Sequence, residues 1–182
     1  TKPGIAHLVR VEGLGFLRME AAEQPEWERR FVAALETAER FFMGDARVQH
    51  AAREIAERLE KENIPYAIAG AMALNAHGYE RVTSDVDVLL TREGLARFKE
   101  KFLGLGYVEK FAGSKGLRDT ANNVAIDILL AGDYPGDGKE KPVRFPDPAE
   151  AAVRGREYRV LPLAKLVEMK LASGMTAPHR LK

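Results

Sequence analysis

YAIAGAMALNAHGYERVTSDVDVLLT, residues Tyr66 to Thr91, decides how the chain is read. Tyr66–Ala69 has the apolar run of a short strand, Gly70-Ala71 makes a turn, and Ala71–His77 is a helix rich in Ala, Met and Leu. Ser84–Leu90 is a second strand. Side chains alternate along a strand, so Asp85 and Asp87 leave from one face while Val86, Val88 and Leu90 take the other. At ~3.3 Å rise per residue, the two acidic Cβ atoms stand roughly 6–7 Å apart. Two carboxylates on one face, just past a glycine-led turn, suit a hard cation and a phosphate. The plainer alternative is a pair of solvated acids at a strand end.

A third acid lies downstream in NVAIDILL, where Asp127 sits among Val124, Ala125, Ile126, Ile128 and Leu129. An acid in so apolar a strand is costly to bury without a partner. If this strand lies beside the first, three carboxylates converge and a divalent cation relieves their repulsion. If it does not, Asp127 faces water on a one-sided sheet. Both readings stay open.

Smaller signals surround these acids. Gly70 at a strand-to-helix turn lets a phosphate approach the backbone, or serves packing alone. His77-Gly78 reads more simply as a helix C-cap than as a ligand. Arg81 and Thr83 are placed to orient the acids or touch phosphate, and Arg81 alternatively just offsets their charge. Lys170, near Leu166 and Met169 on a last helix over Pro162–Ser173, either neutralises a phosphate or is an ordinary solvated lysine. Lys115 and Arg118 flank a glycine-rich turn.

Outward from the core stretch, Arg92–Leu103 is helical, and Tyr107–Phe111, Gly116–Ala121 and Asn123–Leu130 are three strands in a meander. Asp147-Pro148 is an N-cap followed by proline at the first helical position, and Arg156–Leu161 is a last strand. Upstream, Trp27, Phe31, Leu35, Ala38 and Phe42 recur at helical spacing over about Glu20–Met43. Gly44 ends that helix, Asp45 caps a second over Ala46–Glu62, and Pro65 prevents continuation. A short strand over His7–Val11 is the one element expected before them. The expected architecture is α/β (α+β): a short mixed sheet of about five strands, the D-x-D strand central, flanking helices, and an N-terminal helical pair. The corresponding division is an N-terminal segment over 1–63 and a core over 64–182.

Composition bounds the possibilities. The 182 residues carry a formal net charge of +1, with 46 % hydrophobic and 30 % charged residues, as in an ordinary globular protein. That balance gives no general affinity for nucleic acid or acidic membranes. With no cysteine there is no disulfide, thiolate metal site or cysteine nucleophile, and a cytoplasmic location is expected. No apolar run approaches ~18 residues and no signal-peptide core opens the sequence, so no membrane association is expected.

Taken together, GAMALNAHGYERVTSDVDVLL and the later acid resemble the signature of the polymerase-β-like nucleotidyltransferase superfamily. That signature is a Gly followed by Gly or Ser, a short helix, D-x-D on the next strand, and a third acid on a later strand. The block H-G-x-x-R-x-T-x-D-x-D is similar to a prokaryotic branch of uncharacterised and abortive-infection toxin nucleotidyltransferases, as found in toxin–antitoxin pairs. The likeness covers roughly Ile64–Leu130, and LPLAKLVEMKLASG resembles that branch's helix after the core.

The resemblance implies a nucleotidyltransferase fold and transfer of an NMP from an NTP to an acceptor hydroxyl, with release of pyrophosphate. It implies Asp85 and Asp87 as ligands of Mg²⁺ (or Mn²⁺), Asp127 completing the metal site and helping to activate the hydroxyl, and Gly70 and Ala71 cradling the triphosphate. The acceptor is a nucleic acid such as tRNA, a protein or a small molecule. Ala71 departs from the pattern, since a serine there would offer phosphate a hydroxyl. The alternative is a catalytically inactive binding or interaction protein on the same fold, forming a homodimer through Trp27 and Phe31 of the N-terminal helices.

Overall fold

The computed structural model describes residues 25–174, with side chains described for all of them except 28 and 33–45. The strand expected over His7–Val11 and the basic run His179–Lys182 lie outside the described residues. Two compact units divide the chain between Phe41 and Phe42.

The first difference from the sequence reading is upstream. One helix, α1 (Glu26–Lys61), runs where two were expected, passing uninterrupted through Gly44 and Asp45. A glycine inside a helix costs about 1 kcal/mol relative to alanine. That is too little to end a helix whose hydrogen bonding continues on both sides. The C-terminal half behaves as its pattern requires: Val48, Ala51, Ala52, Ile55, Ala56 and Leu59 are all buried. Asn63, at φ +52°, takes the left-handed conformation past the helix end, and Pro65 follows.

The elements that follow are β1 (Tyr66–Ile68), α2 (Gly70–Ala76), β2 (Asp85–Leu90), α3 (Arg92–Phe102), β3 (Tyr107–Glu109), β4 (Leu117–Asp119) and β5 (Val124–Leu130). The chain then forms α4 (Pro148–Ala151), β6 (Val153–Arg154), β7 (Arg159–Val160) and α5 (Leu163–Ala172). All seven strands join one mixed sheet in the order β3-β4-β5-β2-β1-β7-β6. The D-x-D strand β2 is central, as expected. The sheet has seven strands rather than about five: the strand expected over Arg156–Leu161 joins it as β7, and a two-residue strand not expected from the sequence, β6, pairs with it at the edge.

β3, β4 and β5 form the antiparallel meander that their turns predict. β5 then lies parallel to β2, reached through α3 and the meander. Along β5, Val124, Ile126, Ile128 and Leu130 are buried while Ala125, Asp127 and Leu129 are half-buried. This strict alternation gives one core face and one half-buried face that carries Asp127.

Helix starts follow local chemistry. Thr91 caps α3, its hydroxyl accepting from the Gly94 N–H at 2.9 Å. Asp147 caps α4, accepting from the Ala149 N–H at 2.8 Å, with Pro148 at the first position as expected. On α3 the fully buried Phe98 ring meets Phe102 at 4.9 Å and the edge of Tyr107 at 5.0 Å. Phe98→Ala is therefore expected to lower stability by about 3–5 kcal/mol, read from urea unfolding. A loss below about 1 kcal/mol would show that this cluster does not anchor α3 to the meander. Among the described residues, no helix is long and apolar enough to cross a membrane.

Candidate active site

The site forms where β1 hands over to α2, beside the start of β2 and the middle of β5. Asp87 and Asp127 are register partners across the parallel β2–β5 pair, and Asp85 aligns with Ala125. Directly opposed residues on neighbouring strands share a face, with the strands ~4.8 Å apart. Asp85, Asp87 and Asp127 therefore converge on one patch. This is the juxtaposition that the apolar surroundings of Asp127 left open.

Gly70 closes the patch from above. Its φ is +58°, and a Cβ there would fall 1.9 Å from Asp87 Oδ2. The Asp87 carboxylate thus lies against the bare Cα of Gly70, a position that admits no side chain. The Ala69 N–H donates to the Asp87 carbonyl oxygen at 2.9 Å, fixing the turn to β2. Ala71 is half-buried beside it.

Electrostatics mark Asp87 as the stressed member. Burial, and then the charges of Asp85 and Asp127, push its pKa up from 3.8 to about 6, against the opposing pull of Lys110 and Lys170. Asp85 is steadied by Thr83, whose hydroxyl donates to Asp85 Oδ1 at 2.6 Å. Asp127 Oδ1 accepts from the ammonium of Lys110, at the end of β3.

The other sequence candidates separate. Lys170 is exposed on α5, yet near enough to Asp87 to oppose the rise in its pKa. Arg81 is exposed and held through its main chain, its N–H donating to Asn75 Oδ1 at 2.6 Å and its carbonyl accepting from Asn75 Nδ2 at 2.8 Å. The Arg81 guanidinium makes no ion pair among the described residues. Lys115 pairs with Asp133 at 3.9 Å, and Arg118, opposite Ala125 on the face that carries the acids, bonds to Asn123 at 2.8 Å. His77 is the C-cap of α2, its Nε2 lying 2.8 Å from the Leu161 carbonyl oxygen, and Gly78 follows at φ +87°. The cap reading of His77 holds.

Lys110 is the site residue that the sequence reading missed. The glycine at 116 was its only available signal. A Cβ at Gly116 would meet Lys110 Cδ at 3.1 Å, so the glycine leaves a track for the lysine stem.

The donor set suits Mg²⁺ or Mn²⁺, which prefer carboxylate oxygens. As the side chains stand, however, no three His, Cys, Asp or Glu among the described residues are arranged to close on a metal ion. Asp127 is committed to Lys110 and Asp85 to Thr83. The shortage of positive charge around Asp87 still fits a cation, provided that Asp127 turns from Lys110 toward Asp87.

No family model matches the chain. No curated protein matches it either. Among solved structures, TM1012 of Thermotoga maritima, a presumed nucleotidyltransferase, is similar at a TM-score of 0.53 and 17 % identity, covering 73 % of this chain and 88 % of that one. ANT(2″)-Ia in complex with adenylyl-2″-tobramycin matches at a TM-score of 0.45 and 15 % identity, covering 75 % of this chain and 83 % of that one, which is too loose to add weight. The fold is the nucleotidyltransferase fold.

Proposed function

We propose that this protein is a divalent-cation-dependent nucleotidyltransferase that moves an NMP from an NTP to an acceptor hydroxyl. The observation that carries the reading is the in-register pairing of Asp87 with Asp127 across β2 and β5, with Asp85 on the same face. Mg²⁺ or Mn²⁺ held by Asp85, Asp87 and Asp127 would neutralise the triphosphate and the developing pyrophosphate.

The chain's own groups supply the rest. The Gly70–Ala71 backbone, free of any side chain at Gly70, receives the phosphates. Thr83 holds Asp85 in position. Lys170 adds positive charge beside Asp87. Asp127 takes the proton of the acceptor hydroxyl as its oxygen bonds to the α-phosphorus. The bond from that phosphorus to the bridging oxygen breaks, and pyrophosphate leaves.

The acceptor belongs to a nucleic acid such as tRNA, a protein or a small molecule. Action as an abortive-infection toxin in the cytoplasm rests on the sequence resemblance of the H-G-x-x-R-x-T-x-D-x-D block. The test is transfer from α-labelled NTPs, or pyrophosphate release, with Mg²⁺ or Mn²⁺ over a panel of acceptors. Wild type should transfer label, and Asp85→Asn should lose at least about 10²-fold. Equal transfer by the two would sink the reading.

One observation favours the alternative of an inactive binding protein: Asp127 is already neutralised by Lys110. In that case calorimetry would show no NTP binding with metal. Trp27 and Phe31, 68 % and 57 % exposed, would then serve as the homodimer surface, and their replacement by alanine would give a monomer.

A further inference from the structure

We propose that Lys110 is a built-in counter-cation that competes with the divalent cation for Asp127, so that the third carboxylate is released only when the metal arrives. The inference rests on the aspartate reading above and goes beyond it.

Three observations support it. The Lys110 ammonium contacts Asp127 Oδ1, the acid whose register partner is Asp87. The lysine stem follows a prepared path, since Gly116 leaves out the Cβ that would press on Lys110 Cδ at 3.1 Å and Cε at 3.4 Å. The Lys110 N–H also donates to the Gly116 carbonyl oxygen at 3.0 Å, which fixes the lysine against β4. The backbone and stem of Lys110 are therefore placed for this contact, while the ion pair itself stays partly open.

It also explains why three converging aspartates do not form a ready metal cage. Three carboxylates with no counter-charge repel one another, and one lysine satisfies Asp127. The ion pair is partly open, with the two side chains 30 % and 43 % exposed. Such a pair is weak, so a divalent cation bound by two further carboxylates displaces it. The freed ammonium stays within a side-chain length of the site, where an anionic triphosphate supplies its next partner.

The test is binding of Mn²⁺ alone to the full chain, measured by calorimetry or by the paramagnetic signal of free Mn²⁺. Lys110→Met is expected to bind Mn²⁺ roughly three- to tenfold more tightly than wild type. Lys110→Arg keeps the competing charge and should stay within about twofold of wild type. Lys170→Met removes a nearby charge without freeing a carboxylate oxygen, so its gain should be smaller. Unchanged or weaker Mn²⁺ binding by Lys110→Met overturns the proposal. So does a gain no larger than that of Lys170→Met, which would reflect charge alone. If wild type binds Mn²⁺ in these cases, the aspartate site stands without the lysine role. If neither wild type nor Lys110→Met binds Mn²⁺, both fail together.

Discussion

Asp87→Asn is expected to abolish nucleotidyl transfer and, at the same time, to make the metal-free protein more stable. The first effect follows from removing a carboxylate at the centre of the proposed metal site, at a loss on the order of 10²-fold or more. The second follows from crowding. Asp87 titrates near 3.8 when unperturbed and near 6 in the fold, chiefly through burial and then through Asp85 and Asp127. Between those values the native state holds a proton that the unfolded state has lost. Stability is therefore favoured at low pH and falls as pH rises through the window from about 4 to 6. Asparagine carries no such penalty. A displacement of this size is worth at most about 3 kcal/mol. The partial exposure of Asp87 reduces it to about 1–2 kcal/mol at pH 7.

Thermal or urea midpoints of the two proteins should nearly coincide at pH 4 and separate above pH 6, with the variant higher. Adding Mg²⁺ should close the gap by raising wild type alone. A variant less stable than wild type at pH 7 without metal would mean that the three carboxylates do not strain the fold.

Gly70→Ala is expected to be nearly as damaging to activity, for a steric reason. At φ +58° an alanine is already strained by about 1 kcal/mol. Its methyl would then stand 1.9 Å from Asp87 Oδ2 and 2.8 Å from Asp87 Cγ. The carboxylate must rotate away, or the turn before α2 must lift off β2. Either movement destroys the relation between the phosphate-receiving turn and the acids. We expect a loss of about 2–4 kcal/mol in urea unfolding and loss of label transfer.

Gly78→Ala provides the comparison. Gly78 is also left-handed, at φ +87°, but nothing lies within 4 Å of an added Cβ. It should cost only about 1 kcal/mol and leave transfer intact. Similar behaviour of the two variants would show that close packing of Gly70 on Asp87 plays no part in the site.

Much of this arrangement is legible from residue order. The alternation in DVDVLL puts two acids on one face, and an acid inside VAIDILL either finds a partner or faces water. Asp147-Pro148 and His77-Gly78 mark helix ends by backbone chemistry that acts within a few residues. What the sequence leaves open depends on distant neighbours. That β5 lies beside β2, and in which register, is set by the meander and α3 together. Lys110 reaches Asp127 from two strands away, across β4, and no local periodicity encodes that contact. Arg81 shows the converse. Its nearness to the acids in sequence suggests a role with them, but the contacts that hold it are backbone bonds to the Asn75 side chain. Gly44 shows how a strong local stop signal yields when a helix continues on both sides.

The parallel pairing of β2 with β5 also carries a consequence for biogenesis. β5 sits between β2 and β4, so its place in the sheet is complete only when both of its edges are paired. During synthesis Asp85 and Asp87 emerge well before Asp127, because α3 and the hairpin of β3 and β4 lie between β2 and β5 in the chain. Closing so long a loop is slow relative to local helix formation. A nascent or locally opened chain thus carries two of the three acids without the third. The proposed metal site is therefore complete only once the long-range pairing of β2 with β5 has formed.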